Sequence, residues 1–332
     1  MNNYISGADS TFLIAWEDSA NWAVDPTAHT PSDQTYMPTG RGVDVSISRN
    51  NNAERIYGIG SRNANATINK QYSGTATING VLTNAYWLLG VLGANANGGA
   101  ADAYTHTYTE ANGLPSFTAK ASQNTGSTDV GSILLGCRIN TCTITAAVNE
   151  AVKFSLECPY RYETLGTTFV SNLADTEPVF TFAHGSIEMP DGTKIAAVQN
   201  FELTINNGLE PVYGIGSRFM SDNVGKQREY SFSMTAAFND YTSLLTYFMN
   251  GTSSASAPDS GSGTEIATLE LTFTNDDGDI IDINLAGVHL NEETLPQNSN
   301  DVIKEDVSGW ARVCTNIIYT NDIETAPAEA TI

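Results

Sequence analysis

A glycine-rich hexapeptide that could approach a phosphate group occurs twice in the chain. Tyr57-Gly58-Ile59-Gly60-Ser61-Arg62 returns, identical at every position, as Tyr213-Gly214-Ile215-Gly216-Ser217-Arg218. A dinucleotide fingerprint needs a third glycine, and a P-loop needs a following Gly-Lys-Ser/Thr; both are missing, and no helical pattern follows. We therefore interpret the motif as a structural bend between strands, whose arginine pairs with a carboxylate or caps carbonyl groups. The residues assigned to this bend are Tyr57, Gly58, Gly60, Arg62, Tyr213, Gly214, Gly216 and Arg218.

Other residues with chemical potential do not form a site. Asn275-Asp276-Asp277-Gly278-Asp279 resembles part of a calcium loop, but an EF-hand needs flanking helices and a glutamate at its twelfth position, so a hairpin tip is expected. No Gly-x-Ser-x-Gly elbow or Cys/His pair stands out, so no enzyme, metal or cofactor is predicted. Scattered histidines indicate structural or surface roles, and cysteines without a zinc spacing indicate buried, reduced thiols, although a bridge between two of them stays open. These residues are His29, His106, His184, His289, Cys137, Cys142, Cys158 and Cys314.

The hexapeptide belongs to a longer internal repeat with a constant offset of 156 residues. Identical pairs flank it, and the hydrophobic phase agrees, since Val45 and Ile47 correspond to Phe201 and Leu203. Register kept over about 25 positions indicates two copies of one unit rather than chance. The identical flanking pairs are Asn50-Asn51 with Asn206-Asn207, Glu54 with Glu210, and Lys70-Gln71 with Lys226-Gln227.

Length and charge fit a duplicated, acidic protein. A chain of 332 residues predicts about two domains, which we place at 1–165 and 166–332. The net charge of −22 divides into −4 for the first half and −18 for the second. This negative charge opposes ordinary nucleic-acid binding, which needs cations to neutralise phosphates. It is compatible with a surface past which DNA slides, with a salty habitat, or simply with solubility. The N-terminus lacks a signal-peptide pattern and no apolar run is long enough to cross a bilayer, so we expect no membrane association.

Strand patterns dominate the chain. Val81–Leu92 and Tyr241–Met249 are predicted as helices, the second with Asp240 as N-cap and Gly251 as its stop, and Ala94–Ala101 and Asn291–Ser308 as loops. The fold class is therefore mainly β, a β-sandwich or half-barrel with one flanking helix in each of two tandem copies. The predicted strands are Val43–Ser48, Ala66–Ile78, Thr105–Thr109, Ile139–Ala147, Val152–Glu157, Ile195–Ile205, Tyr230–Thr235, Leu269–Thr274 and Ile280–Leu285.

Three segments resemble a known family. Leu13–Ser19, Leu135–Ser155 and Phe180–Arg218 are similar to the major tail tube proteins of tailed bacterial and archaeal viruses, the last through His184-Gly185-Ser186, Asp191-Gly192, Val198-Gln199-Asn200-Phe201 and the second hexapeptide. The resemblance implies a virion protein that is assembled in the host cytoplasm and stacks in rings to form a conduit for viral DNA. It also implies self-association and contacts with tail tip or initiator, tape measure and tail terminator proteins, while DNA passes without adhering.

The family's rings commonly contain six tube domains, so a duplicated chain would form a homotrimer with pseudo-sixfold symmetry. Candidate lumen-lining hairpins are Ala66–Ile78 with Thr141–Ala147 and Tyr230–Thr235 with Leu269–Leu285. The main alternative is a two-domain carbohydrate-binding or adhesin-like module, which would expose Trp16, Trp22, Trp87 and Trp310 on one face. A hydrolase hidden in the acidic half is a third hypothesis.

Overall fold

A computed structural model describes residues 10–17, 22–24, 36–100, 103–124, 129–166, 177–190, 192, 194–195, 198–237, 244–252, 255–258, 260–261, 265–295 and 303–323. Strands dominate them, and helices are short: α1 spans Leu89–Leu92 after a 3₁₀ turn at Tyr86–Leu88, and α2 spans Leu244–Asn250. The strands are β1 Ser10–Trp16, β2 Arg41–Asn50, β3 Ala53–Tyr57, β4 Ala64–Asn69, β5 Ser73–Val81, β6 Gly93–Ala100, β7 Ala103–Glu110, β8 Phe117–Asn124, β9 Asp129–Cys137, β10 Thr141–Ala147, β11 Lys153–Tyr160, β12 Tyr162–Gly166, β13 Gly185–Glu188, β14 Val198–Asn206, β15 Leu209–Tyr213, β16 Met220–Gly225, β17 Glu229–Ala237, β18 Ile266–Thr274, β19 Ile280–Thr294 and β20 Lys304–Asn321.

One large antiparallel sheet contains strands from both halves of the chain. Its main path runs β13-β18-β19-β20-β17-β14-β10-β11-β5-β2, and β7, paired with β6, joins the far half of β20. The halves meet where β10 pairs with β14, Thr143 lying opposite Thr204. In the described residues β2 ends the path and has only β5 as a partner. The division into domains of 1–165 and 166–332 stays a prediction.

A second sheet, β1-β8-β9-β12, packs against the first half of the large sheet. Trp16 of β1 lies edge-on to Phe117 of β8, with 5.8 Å between the ring centres, and belongs to the same apolar core as the large sheet. At the rim Arg49 of β2 donates from Nε and Nη2 to the two carboxylate oxygens of Glu163 on β12, at 2.7 and 2.6 Å. Two layers of sheet around an apolar core make a β-sandwich, as the sequence predicts.

The repeat is visible as a four-strand unit. β2, β3, β4 and β5 correspond in order to β14, β15, β16 and β17, with the same offset of 156 residues and with lengths that are equal except for one residue at the start of β2. In each copy the outer strands pair within the large sheet, while the inner strands pair only with each other. The sequence repeat therefore encodes a long hairpin whose base is part of the sheet and whose distal part projects from it.

Most predicted strands are confirmed, but one is interrupted and two pairings are wrong. Ala66–Ile78 divides into β4 and β5, because residues 70–72 form the break between the base and the projecting part. β5 pairs with β2 and β11 instead of Thr141–Ala147, and β17 pairs with β14 and β20 instead of Leu269–Leu285. Tight turns keep consecutive strands together: β10 and β11 join at Asn149, whose φ is 65°, and β18 and β19 at Gly278.

The predicted helix over Val81–Leu92 is too long. Val81 ends β5, and the backbone of Leu82 is held in an extended pairing by hydrogen bonds with Val152 and Phe180. The helical part begins only at Tyr86, and its residues are buried on every side rather than along one stripe. The second helix begins at Leu244 in the described residues and ends before Gly251; Asp240 and residues 241–243 lie outside them.

The first predicted loop is a strand, and the second is strand at both of its ends. Gly93–Ala100 is β6, which pairs along its whole length with β7. Its small residues have low strand propensity, so the backbone hydrogen bonds to β7 are what make this segment a strand. Asn291–Thr294 continues β19 and Lys304–Ser308 begins β20, with Glu292 opposite Ser308. Residues 296–302 lie outside the described part of the chain.

Candidate assembly surfaces

Both hexapeptides lie at the tips of projecting hairpins. The first arm, β3 and β4, turns at residues 58–63, and the second arm, β15 and β16, turns at residues 214–219. Gly60 and Gly216 have φ values of 86° and 101°. Residues with a Cβ atom rarely adopt this backbone conformation, which explains the glycines. Ser61 accepts from the amide of Asn63, and Ser217 accepts from the amide of Phe219, both at 3.1 Å. The two tips thus use the same turn chemistry.

The flanking identities stabilise the bases of the arms. Lys70 pairs with Glu54 at the first base, and Lys226 pairs with Glu210 at the second. The side-chain oxygen of Asn50 accepts from the amide of Asn52 at 2.8 Å, and that of Asn206 accepts from the amide of Gly208 at 2.9 Å. These contacts lie within each arm, so they account for why the pairs repeat in both copies.

The second arm docks on the base of the first, through the tyrosine and arginine of its hexapeptide. Arg218 donates from Nε to the carbonyl of Lys70 at 2.9 Å and from Nη2 to Oδ1 of Asn51 at 2.9 Å. Its own carbonyl accepts from the amide of Tyr72 at 2.8 Å, and the Tyr213 hydroxyl donates to the carbonyl of Tyr72 at 3.1 Å. We call these contacts the arm latch. Arg218 therefore caps carbonyl groups rather than pairing with a carboxylate.

Side chains beside the latch enlarge this contact. The Phe219 ring packs edge-on against Tyr72 and Tyr162, with centroid distances of 5.7 and 4.8 Å. Arg138 donates from Nη1 to Asp222 at 2.8 Å and also to the carbonyl of Asn223. The second arm thus has a buried side, formed by Met220 and Asn223.

The first arm is exposed along its whole length. Every residue of β3 and β4 is solvent-exposed, including Ile56, Tyr57 and Ile68, and Ile59 at the tip is fully exposed. Arg62 makes no hydrogen bond to any residue that the structure describes. A two-stranded hairpin gains little stability alone in water, and clustered exposed apolar side chains indicate an interaction site.

A continuous polar face covers the side of the large sheet that points away from the core. Alternate residues of seven neighbouring strands form it, in registers that put them on one side. Short hydroxyl and amide side chains predominate, and its charged members are acidic; Lys153, Lys304 and the exposed Trp310, which lies opposite Ser231, are at its margin. The polar face consists of Asp44, Ser46, Ser48, Thr75, Thr77, Asn79, Thr141, Thr143, Thr145, Ser155, Glu157, Asn200, Glu202, Thr204, Ser231, Ser233, Thr235, Asp306 and Ser308.

Two carboxyl groups lie close together near the end of β19. Glu305 is almost fully buried, and Oε1 of Glu305 and of Glu293 lack hydrogen-bond partners in the described residues. Burial, and then the neighbouring Glu293, raise the pKa of Glu305 to about 7. Burial also raises the pKa of Glu293. Within the part of the chain that the structure describes, this acidic pair therefore has no cationic partner.

Replacing Glu305 with glutamine should stabilise the folded chain at pH 8 by about 1–3 kcal/mol and have little effect at pH 4.5. The folded pKa is raised above the unfolded one, so the folded state holds a proton that the unfolded state has lost between about pH 4.5 and 7, and stability falls as pH rises through that window. Urea unfolding at both pH values measures the effect. Asp277→Asn, at the exposed β18–β19 turn, is the matched control; equal shifts at both pH values would contradict the prediction.

The histidines and cysteines considered as chemical groups in the sequence analysis have structural roles where the chain is described. His106 is buried and hydrogen-bonded through Nδ1 to Asn97 and through Nε2 to Asn321, whereas His29 lies outside the described residues. All four cysteines are free and buried. Within the described residues no group of three or more His, Cys, Asp or Glu is arranged to hold a metal, and no helix has the length and apolarity to span a membrane.

The aromatic face expected for a carbohydrate-binding module is absent from the described structure. Trp16 and Trp87 are buried, and Trp87 packs against Phe154 with ring centres 4.9 Å apart. Trp22 is half-buried beneath Arg138 and Arg161, and only Trp310 is exposed. The four tryptophans therefore do not form one binding platform.

Sequence reasoning did not find Glu17, Arg49 or Glu293. A lone charged residue in or beside a strand carries no pattern. Glu17, just after β1, is buried and accepts from Ser116, Thr118 and Gly136, contacts that only the folded chain shows. The sequence marks two of the latch acceptors, Asn51 and Lys70, because they repeat as Asn207 and Lys226. The repeat does not show which residues they contact.

Comparison with known protein families adds an independent finding. A family model described as phage tail tube protein matches residues 7–310, which include both arms and the polar face. No curated protein sequence matches the chain significantly. The family is one of structural proteins of the virion tail that self-assemble into a tube and associate with other tail proteins, and it is not an enzyme family. With nearly the whole length matched, the chain belongs to the phage tail tube protein family.

Proposed function

We propose that three chains form a ring with the polar face towards its centre, and that stacked rings form the conduit for viral DNA. The observation that carries this proposal is the eight-strand run β19-β20-β17-β14-β10-β11-β5-β2, four strands from each copy, of which seven neighbouring strands carry the polar face. Three times eight strands would close into a barrel, which removes the open sheet edges.

The seam between the copies is a template for the seam between chains. Within the chain β14 pairs with β10, whereas its counterpart β2 has no second partner among the residues that the structure describes. β20 repeats the register of β11, since Lys304 faces Ala237 as Lys153 faces Val81. The same comparison makes Glu292–Thr294 the counterpart of Thr141–Thr143 of β10. A neighbour's β2 therefore fits beside the end of β19.

The template register predicts specific pairs across this seam. Thr143 and Thr204 face each other with hydroxyl oxygens 3.1 Å apart, and their counterparts are Thr294 and Ser48. In the same register Arg49 of one chain lies opposite Glu293 of the next. An arginine has five donors, so its pair with Glu163 leaves donors for a second carboxylate. The seam would thus supply the cation that Glu293 and Glu305 lack.

Unequal copies favour a trimer over six identical subunits. The halves carry −4 and −18, so a ring of three chains alternates in charge and has threefold symmetry. Its lumen would present hydroxyls, amides and carboxylates to DNA. Such a wall offers few cations to bind phosphates and repels them by like charge, so DNA would pass without adhering. A tip or initiator, a tape measure and a terminator protein are the expected partners.

Negative-stain electron microscopy and native mass measurement of the purified protein test this proposal. Rings or tubes with the mass of three chains, and threefold symmetry in averaged images, are expected. A strictly monomeric protein, even with its tail initiator present, would contradict ring formation. Rings of six chains would preserve the tube function and exclude the trimer.

A further inference from the structure

We infer that the first arm latches onto the second copy of the adjacent chain in the same ring, as the second arm latches onto the first copy within the chain. This inference rests on the proposed ring and identifies a second contact in it, separate from the strand seam. It assigns a partner, another copy of this chain, to the exposed hexapeptide tip with Tyr57 and Arg62.

The repeat itself supports the assignment. Arg218 and Tyr213 have a use within the chain, and their identical counterparts Arg62 and Tyr57 have none in the described residues. In a ring of duplicated chains, the junctions between neighbouring copies alternate: one lies inside a chain and the next lies between two chains. The hexapeptide would then make the same latch at both kinds of junction.

Backbone acceptors at the corresponding positions are suitable. The second arm uses the carbonyls of Lys70 and Tyr72, and their counterparts are the carbonyls of Lys226 and Arg228. Carbonyl groups do not depend on side-chain identity, so the latch tolerates the change from Tyr72 to Arg228. The position of Asn51 differs, because Oδ1 of its counterpart Asn207 already accepts from Arg228 at 2.6 Å. Two carbonyl contacts, from Arg62 and Tyr57, are therefore expected.

Side chains beside the latch change on both partners together. Within the chain Phe219 packs on Tyr72. At the junction between chains, the corresponding residues are Asn63 of the first arm and Arg228 of the neighbouring chain. Asp222, which pairs with Arg138, corresponds to Ala66. Charge is complementary, since residues 53–70 contain three basic side chains and one acidic one, and the second half carries −18.

Matched arginine variants test the inference. Arg62→Ala should leave the unfolding midpoint of the free chain unchanged and raise the protein concentration needed for half-assembly at least about tenfold, since hydrogen bonds from a charged group are lost at each chain-to-chain junction. Arg218→Ala should lower the unfolding midpoint of the free chain. Arg55→Ala, on the same exposed arm, should change neither quantity.

Cross-linking then locates the contact. The variant carrying Arg62→Cys and Lys226→Cys, treated with a short bis-maleimide, should give covalent dimers and trimers on a denaturing gel, because the native cysteines are buried. The variant carrying Lys70→Cys and Arg218→Cys should cross-link within one chain.

The outcomes separate this inference from the proposed function. The inter-chain latch would be overturned if the Arg62→Ala protein assembled at the wild-type concentration. It would also be overturned if intact rings of the Arg62→Cys, Lys226→Cys protein gave only monomers on the denaturing gel. Neither result would contradict the proposed ring. Failure of the wild-type chain to form rings would overturn the proposed function itself.

Discussion

Replacing Glu293 with arginine is expected to abolish ring formation while the chain stays folded. In the predicted seam the new arginine would face Arg49 of the neighbour, and like charges brought together at an interface cost several kcal/mol. Inside the chain the same arginine would lie near the Glu305 carboxyl, which is buried without a cation, so the fold should tolerate it. Assembly at a fixed protein concentration should fall by more than about a hundredfold.

Sedimentation velocity and electron microscopy measure the assembled fraction, with thermal unfolding as the check on the fold. Asp277→Arg makes the same charge change at the exposed β18–β19 turn and should assemble like the wild type. Normal rings from the Glu293→Arg protein would show that the end of β19 is not at the seam, and the trimeric barrel would have to be abandoned.

Replacing Glu17 with alanine is expected to destabilise the chain by about 3–5 kcal/mol. The Glu17 carboxylate is buried and accepts four hydrogen bonds, from the amides of Ala23 and Gly136 at 2.8 Å and from the hydroxyls of Ser116 at 2.6 Å and Thr118 at 2.8 Å. Alanine would leave these donors buried without an acceptor at the point where β1, β8 and β9 meet.

Urea unfolding monitored by circular dichroism measures this loss. Glu17→Gln keeps the shape and one acceptor oxygen, so a smaller loss is expected from it. Glu163→Gln changes a carboxylate that accepts from Arg49, Tyr72 and Tyr160 but keeps one acceptor oxygen there, and it should cost less than Glu17→Ala. A loss under about 1 kcal/mol for Glu17→Ala would contradict the assigned role.

Local sequence signals predicted the strands well where the pattern alternates. Tyr230–Thr235 and Val152–Glu157 place apolar residues on one side and polar ones on the other, and both are strands with one buried face. Prediction failed where backbone pairing overrides side-chain preference. Gly93–Ala100 lacks strand-forming side chains and is a strand because β7 lies beside it.

By itself, the sequence determined the duplication, the mainly β class and the alternation that produces a polar face, because each depends on residues near one another or on identity at a fixed offset. The tertiary structure alone decided the strand order, the place of β2 at the end of the described sheet, and the contacts that the second hexapeptide makes within the chain. The tip contacts backbone carbonyls about 150 residues away in the chain, at Lys70 and Tyr72. A carbonyl has no sequence signature, so only the folded chain reveals that Arg218 is bound and that Arg62 is exposed.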